Sequence, residues 1–169
     1  MALLYLVRHG QASLGAADYD QLSDLGRLQC ERLGAWFAGQ GLRFDAVYTG
    51  TLKRHAQSLA AIEAGLGVGH EALVLPGLDE YDSQAVVHAV HPDPLPPATT
   101  PERARQHFRL LRQGLAAWMA GAAQPAGLPS HADFTAGVVA ALDRARDLPP
   151  DANALIVSSG GPISVAIGH

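Results

Sequence analysis

The chain is 169 residues long, 48% hydrophobic and 17% charged, a mixture that folds around a core rather than remaining disordered. Its formal net charge of -4 argues against non-specific nucleic-acid binding, which needs a basic face, but local arginines can still hold a small anion. Cys30 is the only cysteine, which excludes an intrachain disulfide and a cysteine-based metal site. The length fits one domain over residues 1–169. The apolar start, Ala2 to Val7, is too short for a signal or membrane segment, so the expectation is a cytoplasmic protein with no membrane partner. Eight histidines are present, but no HExxH or His-x-His pair, and no metal is expected.

Residues 3–7 (LLYLV) form an apolar run of strand length, suited to a strand buried on both faces. A polar, Asp/Gly-rich loop follows as far as Gln21. Ser23 and Asp24 then start a helix, with Leu25, Leu28, Leu33, Trp36 and Phe37 on its expected inner face. It should end among the glycines at 39–41. Phe44 to Tyr48 predicts a second strand, 51–66 a second helix, and Ala72 to Leu75 a weaker third strand. Six prolines between 76 and 101 forbid a long regular element there and mark a loop-rich insertion. Glu102 to Ala120 reads as a helix, with Phe108, Leu111, Leu115 and Trp118 along one face. A linker over 121–130, a helix over 133–146, a strand core at 155–157 and a helix opening at Pro162 complete the chain.

Strands alternating with helices of ten to twenty residues imply an α/β fold, a mostly parallel sheet with helices on both faces. Ligands of such sheets bind beyond the carboxyl ends of the strands, where Arg8, His9 and Ser159 all fall.

Arg8-His9-Gly10 combines three useful chemistries. Arginine offers a planar fork of donors for phosphate or carboxylate oxygens. A neutral imidazole is a nucleophile near neutral pH when its other nitrogen is held by an acceptor. Glycine lets the backbone turn and approach a ligand. Arg54 lies near the start of a helix that follows a strand, an end that favours anions. Glu80 lies between Asp79 and Asp82, and carboxylates so close repel one another, which should raise the proton affinity of at least one. Taken singly, each has a plain alternative: a strand-end ion pair, a surface arginine, a solvated acidic loop.

Together, LVRHG (6–10), QLSDLGRLQ (21–29), TGTLKRHAQS (49–58), LDEYD (78–82) and VSSGGPIS (157–164) resemble the histidine phosphatase superfamily, home of the phosphoglycerate mutases. The resemblance runs from residue 3 to about 165 and implies a three-layer α/β/α sandwich. It implies that His9 is the nucleophile that becomes phosphohistidine and that Arg8 and Arg54 clamp the phosphoryl oxygens. Glu80 would be the general acid, with Gln11, Ser159 and Gly160 completing the phosphate-binding set. The implied ligand is a phosphorylated small molecule or phosphate, with no cofactor, since arginines supply the positive charge.

The sequence departs from the family pattern at one central position. The family's second histidine, in a strand end that usually reads SHGG, is Ser159 here. Losing such a donor to a developing anion commonly costs on the order of 100–1000-fold in rate. His55, His88, His91 and His169 are the candidate substitutes. Neighbouring helix residues point about 100° apart, which argues against His55 and Arg54 sharing one pocket. The asparagine that mutase-type members carry shortly after RHG is absent from QASLGAA. The family usually continues past Gly168-His169 with a further helix, so a truncated form or a short member is expected, with a second copy (a homodimer) or another partner covering the exposed sheet. A serine nucleophile is disfavoured by the absence of GxSxG and of an evident histidine–aspartate pair, and a P-loop by spacing. Two functions remain in view: a phosphomonoester hydrolase or phosphotransferase, and a degenerate member that binds phosphorylated ligands without turnover. Substrate selectivity is expected to reside in 76–101 and 121–130.

Overall fold

The computed structural model describes residues 2–13 and 19–168. They divide between two units, residues 1–80 with 137–169, and residues 81–136.

The first unit is built on four parallel strands: β1 (Leu3–Arg8), β2 (Ala46–Thr49), β3 (Leu73–Val74) and β4 (Asn153–Ser158). Their order is β1-β4-β2-β3. The register pairs Val7 with Val157 and Arg8 with Ser158, so β1 and β4 end at the same level. Because strand side chains alternate, the sheet has two faces to cover. On one, Tyr5, Val7, Leu155 and Val157 pack with Cys30 and Phe37 of α1 (Asp24–Gly39) and Leu59 and Ile62 of α2 (Lys53–Leu66). On the other, Leu6 and Ile156 share an internal space with Val138 and Leu142, and with Pro162 and Ile163 near the chain's end. These belong to α5 (His131–Arg146), which crosses into this unit at 137, and α6 (Gly160–Gly168). The expected helix–sheet–helix layering is therefore present.

β4 is the centre of this core, with Ala154, Leu155 and Val157 wholly buried and Ile156 1% exposed. At about 1.5–3 kcal/mol for each large apolar side chain buried, this strand contributes more than any other. β1 meets helices on both faces, as expected, but lies at the edge of the sheet among the described residues, and Leu3 and Leu4 at its start are exposed.

α1 also departs from expectation. Ser23 caps it, its hydroxyl accepting from the Gly26 N–H at 3.0 Å. Yet Leu25, Leu28 and Trp36 are exposed, and the buried residues are Gly26, Cys30, Gly34 and Phe37. The cause is the closeness of α2. A Cβ on Gly34 would overlap the Ile62 carbonyl, and one on Gly65 would overlap that of Glu31. Backbones this near leave no room for leucines between them, so the apolar period misidentified the inner face. Phe44, before β2, joins Tyr5 and Phe37 in edge-to-face contacts that close the far end.

In the second unit the proline-rich stretch is not wholly irregular. α3 (Ser83–His88) forms there, capped by the Asp82 carboxylate, which accepts from Gln84 and Ala85. It packs on α4 (Pro101–Met119), where a Cβ on Gly114 would overlap the Val86 carbonyl. Trp118 is 2% exposed, ringed by Tyr81, His131 and Phe134, and its indole N–H donates to the Pro129 carbonyl at 3.1 Å. Phe108, placed on the same inner face by periodicity, is exposed.

Replacing Gly34 with alanine is expected to destabilise the protein by ~1–3 kcal/mol, because two backbones must separate to admit one methyl group. Urea unfolding of Gly34→Ala beside Gly39→Ala, which meets nothing, measures the difference.

Candidate active site

β1 delivers its last residue, Arg8, and then His9 to the end of the sheet. The His9 N–H continues the pairing by donating to the Ser158 carbonyl at 2.9 Å. The Gly10 N–H donates to Ser58 Oγ at 3.0 Å, and a Cβ on Gly10 would overlap the Gly26 carbonyl. Only glycine lets the chain pass this close under α1.

These constraints orient the imidazole. His9 Nδ1 lies 2.7 Å from the Gly10 carbonyl oxygen, which can only accept, so Nδ1 carries the hydrogen and Nε2 keeps its lone pair. Burial pushes the His9 pKa below 6.5; the Gly10 bond opposes this, while Arg54 and Arg8 reinforce it. The ring is thus neutral at neutral pH, as a nucleophile must be.

Arg54, the second residue of α2, is 9% exposed. Its Nη1 donates to Asp20 Oδ1 at 2.9 Å, and its Nε is buried without a hydrogen-bond partner among the described residues. Asp20 also accepts from the Lys53 N–H at 2.9 Å, so it caps α2 in place of Leu52, which offers no side-chain cap. Glu80 accepts the Gly161 N–H on both carboxylate oxygens, at 3.0 and 3.1 Å, in the first turn of α6. A Cβ on Gly160 would stand 3.7 Å from Glu80 Oε2 and 4.0 Å from Arg8 Nε, so Arg8, Glu80 and Gly160 meet at one point. Gln11 is exposed and turned toward the start of α1, where its Oε1 accepts from Ser23 Oγ at 3.3 Å.

Ser159 is wholly buried, its Oγ 2.7 Å from Nε2 of His55, which is wholly buried too. His55 Nδ1 faces Asp79 Oδ1 at 3.6 Å, beyond hydrogen-bond reach. The His55 and His9 ring centroids are 5.8 Å apart.

The structure brings Arg8, His9, Arg54, Glu80 and Gly160 together, with Asp20, His55 and Asp79 beside them. Arg54 and His55 point apart, as the helical angle implies, yet both lie near His9. Arg54 reaches to Asp20 and His55 turns inward to Ser159. In the acidic loop each carboxylate has its own partners: Asp79 accepts from Thr51 N–H and Oγ1, Glu80 from Gly161, and Asp82 caps α3. A histidine–aspartate pair not evident in the sequence does adjoin Ser159, but the burial of Ser159 and His55 and the 3.6 Å gap to Asp79 deny it the geometry of a serine nucleophile's base. His88 and His91 belong to the second unit, and His169 lies outside the described residues. No group of three His, Cys, Asp or Glu side chains suited to a metal ion occurs among the described residues, nor any helix long and apolar enough to cross a membrane.

The model of the histidine phosphatase superfamily (branch 1) matches residues 4–169. A 2,3-bisphosphoglycerate-dependent phosphoglycerate mutase of Methylorubrum extorquens (strain PA1) is 37% identical over 89 residues, 47% of this chain and 41% of that protein. The chain thus spans about two fifths of the length of the curated relatives it matches. Among solved structures, phosphoglycerate mutase from Bacillus anthracis superposes with a TM-score of 0.61 at 20% identity, over 97% of this chain and 77% of its own. The mycobacterial glucosyl-3-phosphoglycerate phosphatase gives 0.62 at 22%, over 96% and 78%. At such identities the likeness is one of fold.

His55 supplies a pH test of stability. Burial lowers its pKa from 6.5 to about 4; Asp79 opposes this, while His9 and Arg54 add to it. The unfolded chain binds this proton more readily, so the contribution is complete above pH 6.5 and is lost as pH falls toward about 4. By linkage it amounts to about 3 kcal/mol. Urea unfolding across that range should show a shallower acid slope for His55→Gln than for the parent.

Proposed function

Because the chain belongs to the histidine phosphatase superfamily, branch 1, we propose that it is a phosphomonoester hydrolase, or a related phosphotransferase, working through a phosphohistidine at His9. The observation that carries the reading is the His9 ring: Nδ1 is tied to the Gly10 carbonyl, which leaves the Nε2 lone pair beside two arginines.

In this reading Arg8 and Arg54 grip the phosphoryl oxygens, with Arg54 exchanging its Asp20 contact for the ligand. His9 Nε2 attacks phosphorus, the bond from phosphorus to the ester oxygen breaks, and Glu80 gives its proton to the departing oxygen. Water then attacks the phosphohistidine, giving its proton to the Glu80 carboxylate as the nitrogen–phosphorus bond breaks. Positioning and charge carry such a transfer, and the residues present supply both. The absent asparagine after RHG and the proline-broken segment after Glu80 favour a phosphatase over a phosphoglycerate mutase. A second reading, a binder of phosphorylated ligands without turnover, is favoured by one observation: Ser159 stands where the family's second histidine is expected, and its hydroxyl is buried against His55.

Turnover of an aryl phosphate between about pH 5 and 8 separates the two. The parent is expected to turn over and His9→Ala to fall to background, whereas equal background in both would leave only the binder. Arg54→Ala should lose on the order of 100–1000-fold in kcat/KM. Since the nucleophile must be neutral and its pKa is depressed, the His9 acid limb of kcat/KM should lie below pH 6.5, with activity retained into mild acid.

A further inference from the structure

One buried titratable group next to the nucleophile has no part in that mechanism. His55 is wholly buried, and each of its ring nitrogens faces an oxygen: Ser159 Oγ at 2.7 Å from Nε2, Asp79 Oδ1 at 3.6 Å from Nδ1. Nδ1 has no hydrogen-bond partner among the described residues. A buried polar atom without a partner is destabilising, so a state that gives it one is favoured by that bond. The space for this pair depends on position 50, where a Cβ would overlap both Asp79 Oδ1 and His55 Nδ1. The pocket is thus shaped around an imidazole with an acceptor at each nitrogen, the surroundings an imidazolium requires.

We propose that His55 supplies, from α2, the second imidazole of the phosphoryl site, as a positioning residue that gains its charge when an oxyanion binds, with Ser159 Oγ and the Asp79 carboxylate accepting its two N–H groups. This rests on the phosphoryl-site reading above. Without ligand, the nearby charged and titratable groups are Asp79 beyond β3, His9 at the end of β1, Arg54 on α2 itself and Asp20 before α1. Arg54 and His9 hold the proton off, while Asp79 and Asp20 favour it. A dianion between the arginines cancels the first influence and adds a strong negative potential a few ångströms from the ring, so the imidazole takes a proton from solvent. In the neutral state Ser159 donates its hydroxyl hydrogen to Nε2. In the charged state Nε2–H donates to Ser159 Oγ, freeing the serine hydrogen.

The geometry also makes positions 55 and 159 interdependent. A histidine ring at 159 would occupy the volume that the His55 ring fills, because Oγ and Nε2 are in contact and neither residue has exposed surface. Ser159→His alone should therefore impair the site, whereas His55→Ala with Ser159→His restores one imidazole to it.

The test is calorimetric titration with tungstate, a dianion that carries no proton of its own near neutral pH, in two buffers of different protonation enthalpy. Proton uptake on binding is compared in His9→Ala and in His9→Ala/His55→Gln, which removes the contribution of His9. Uptake present in the first and reduced in the second is the expected result, with tungstate affinity lower by on the order of tenfold for His55→Gln in the parent background. His55→Ala/Ser159→His should bind more tightly than either single variant, a reversal that double-mutant comparison isolates. Equal uptake with and without His55, or additive effects at 55 and 159, would overturn the inference while leaving the His9 reading intact. Loss of turnover in His9→Ala tests that reading separately, and failure of the parent to bind tungstate would overturn both.

Discussion

The arrangement depends on the parallel pairing of β1 with β4. These two strands come from opposite ends of the chain, and their register brings Arg8 opposite Ser158 so that both stop at one level. The His9 N–H to the Ser158 carbonyl is the last rung of that ladder. A slip of one residue would reverse which side chains meet the helices and would separate His9 from the turn into α6. The apolar content of β4 holds the register, since shifting it would expose a strand that is almost entirely buried.

The second requirement is the approach of α2. Arg54 and His55 reach the strand ends only because α2 starts beside them, and that start is fixed in two ways. Asp20 binds the first N–H groups of the helix, and Gly34 and Gly65 let α1 and α2 pack backbone to backbone. Small residues in the helix interface thus become positions of charged residues in the site.

Much of this was legible in the sequence. An apolar run ending in Arg-His-Gly, and another ending in Ser-Ser-Gly-Gly, identify two strand ends with unusual chemistry, and the alternation of elements places them on one edge of a parallel sheet. The inner face of α1 was not legible. Hydrophobic periodicity assumes that helices pack through large side chains, and here glycines carry the contact, so Leu25, Leu28 and Trp36 were assigned the wrong side. The edge position of β1 was hidden for a similar reason, because LLYLV is as apolar as a central strand. The placement of His55 was hidden too. One helical residue can reach a site across its surface while the next approaches it from within the core, and no linear pattern distinguishes that from two unrelated directions. Glu80 was found but its immediate partner was not, because the Gly161 N–H lies eighty-one positions away.

The edge position of β1 has a consequence for how firmly His9 is held. In this strand the amides of Leu3 and His9 point toward β4, and with the pleat so do those of Tyr5 and Val7. The amides of Leu4, Leu6 and Arg8 point the other way, where the sheet has no further strand among the described residues. The segment carrying His9 is therefore fastened along one side only, and its deuterium uptake should alternate from residue to residue, rapid at the outward positions and slow at those that share a bond with β4.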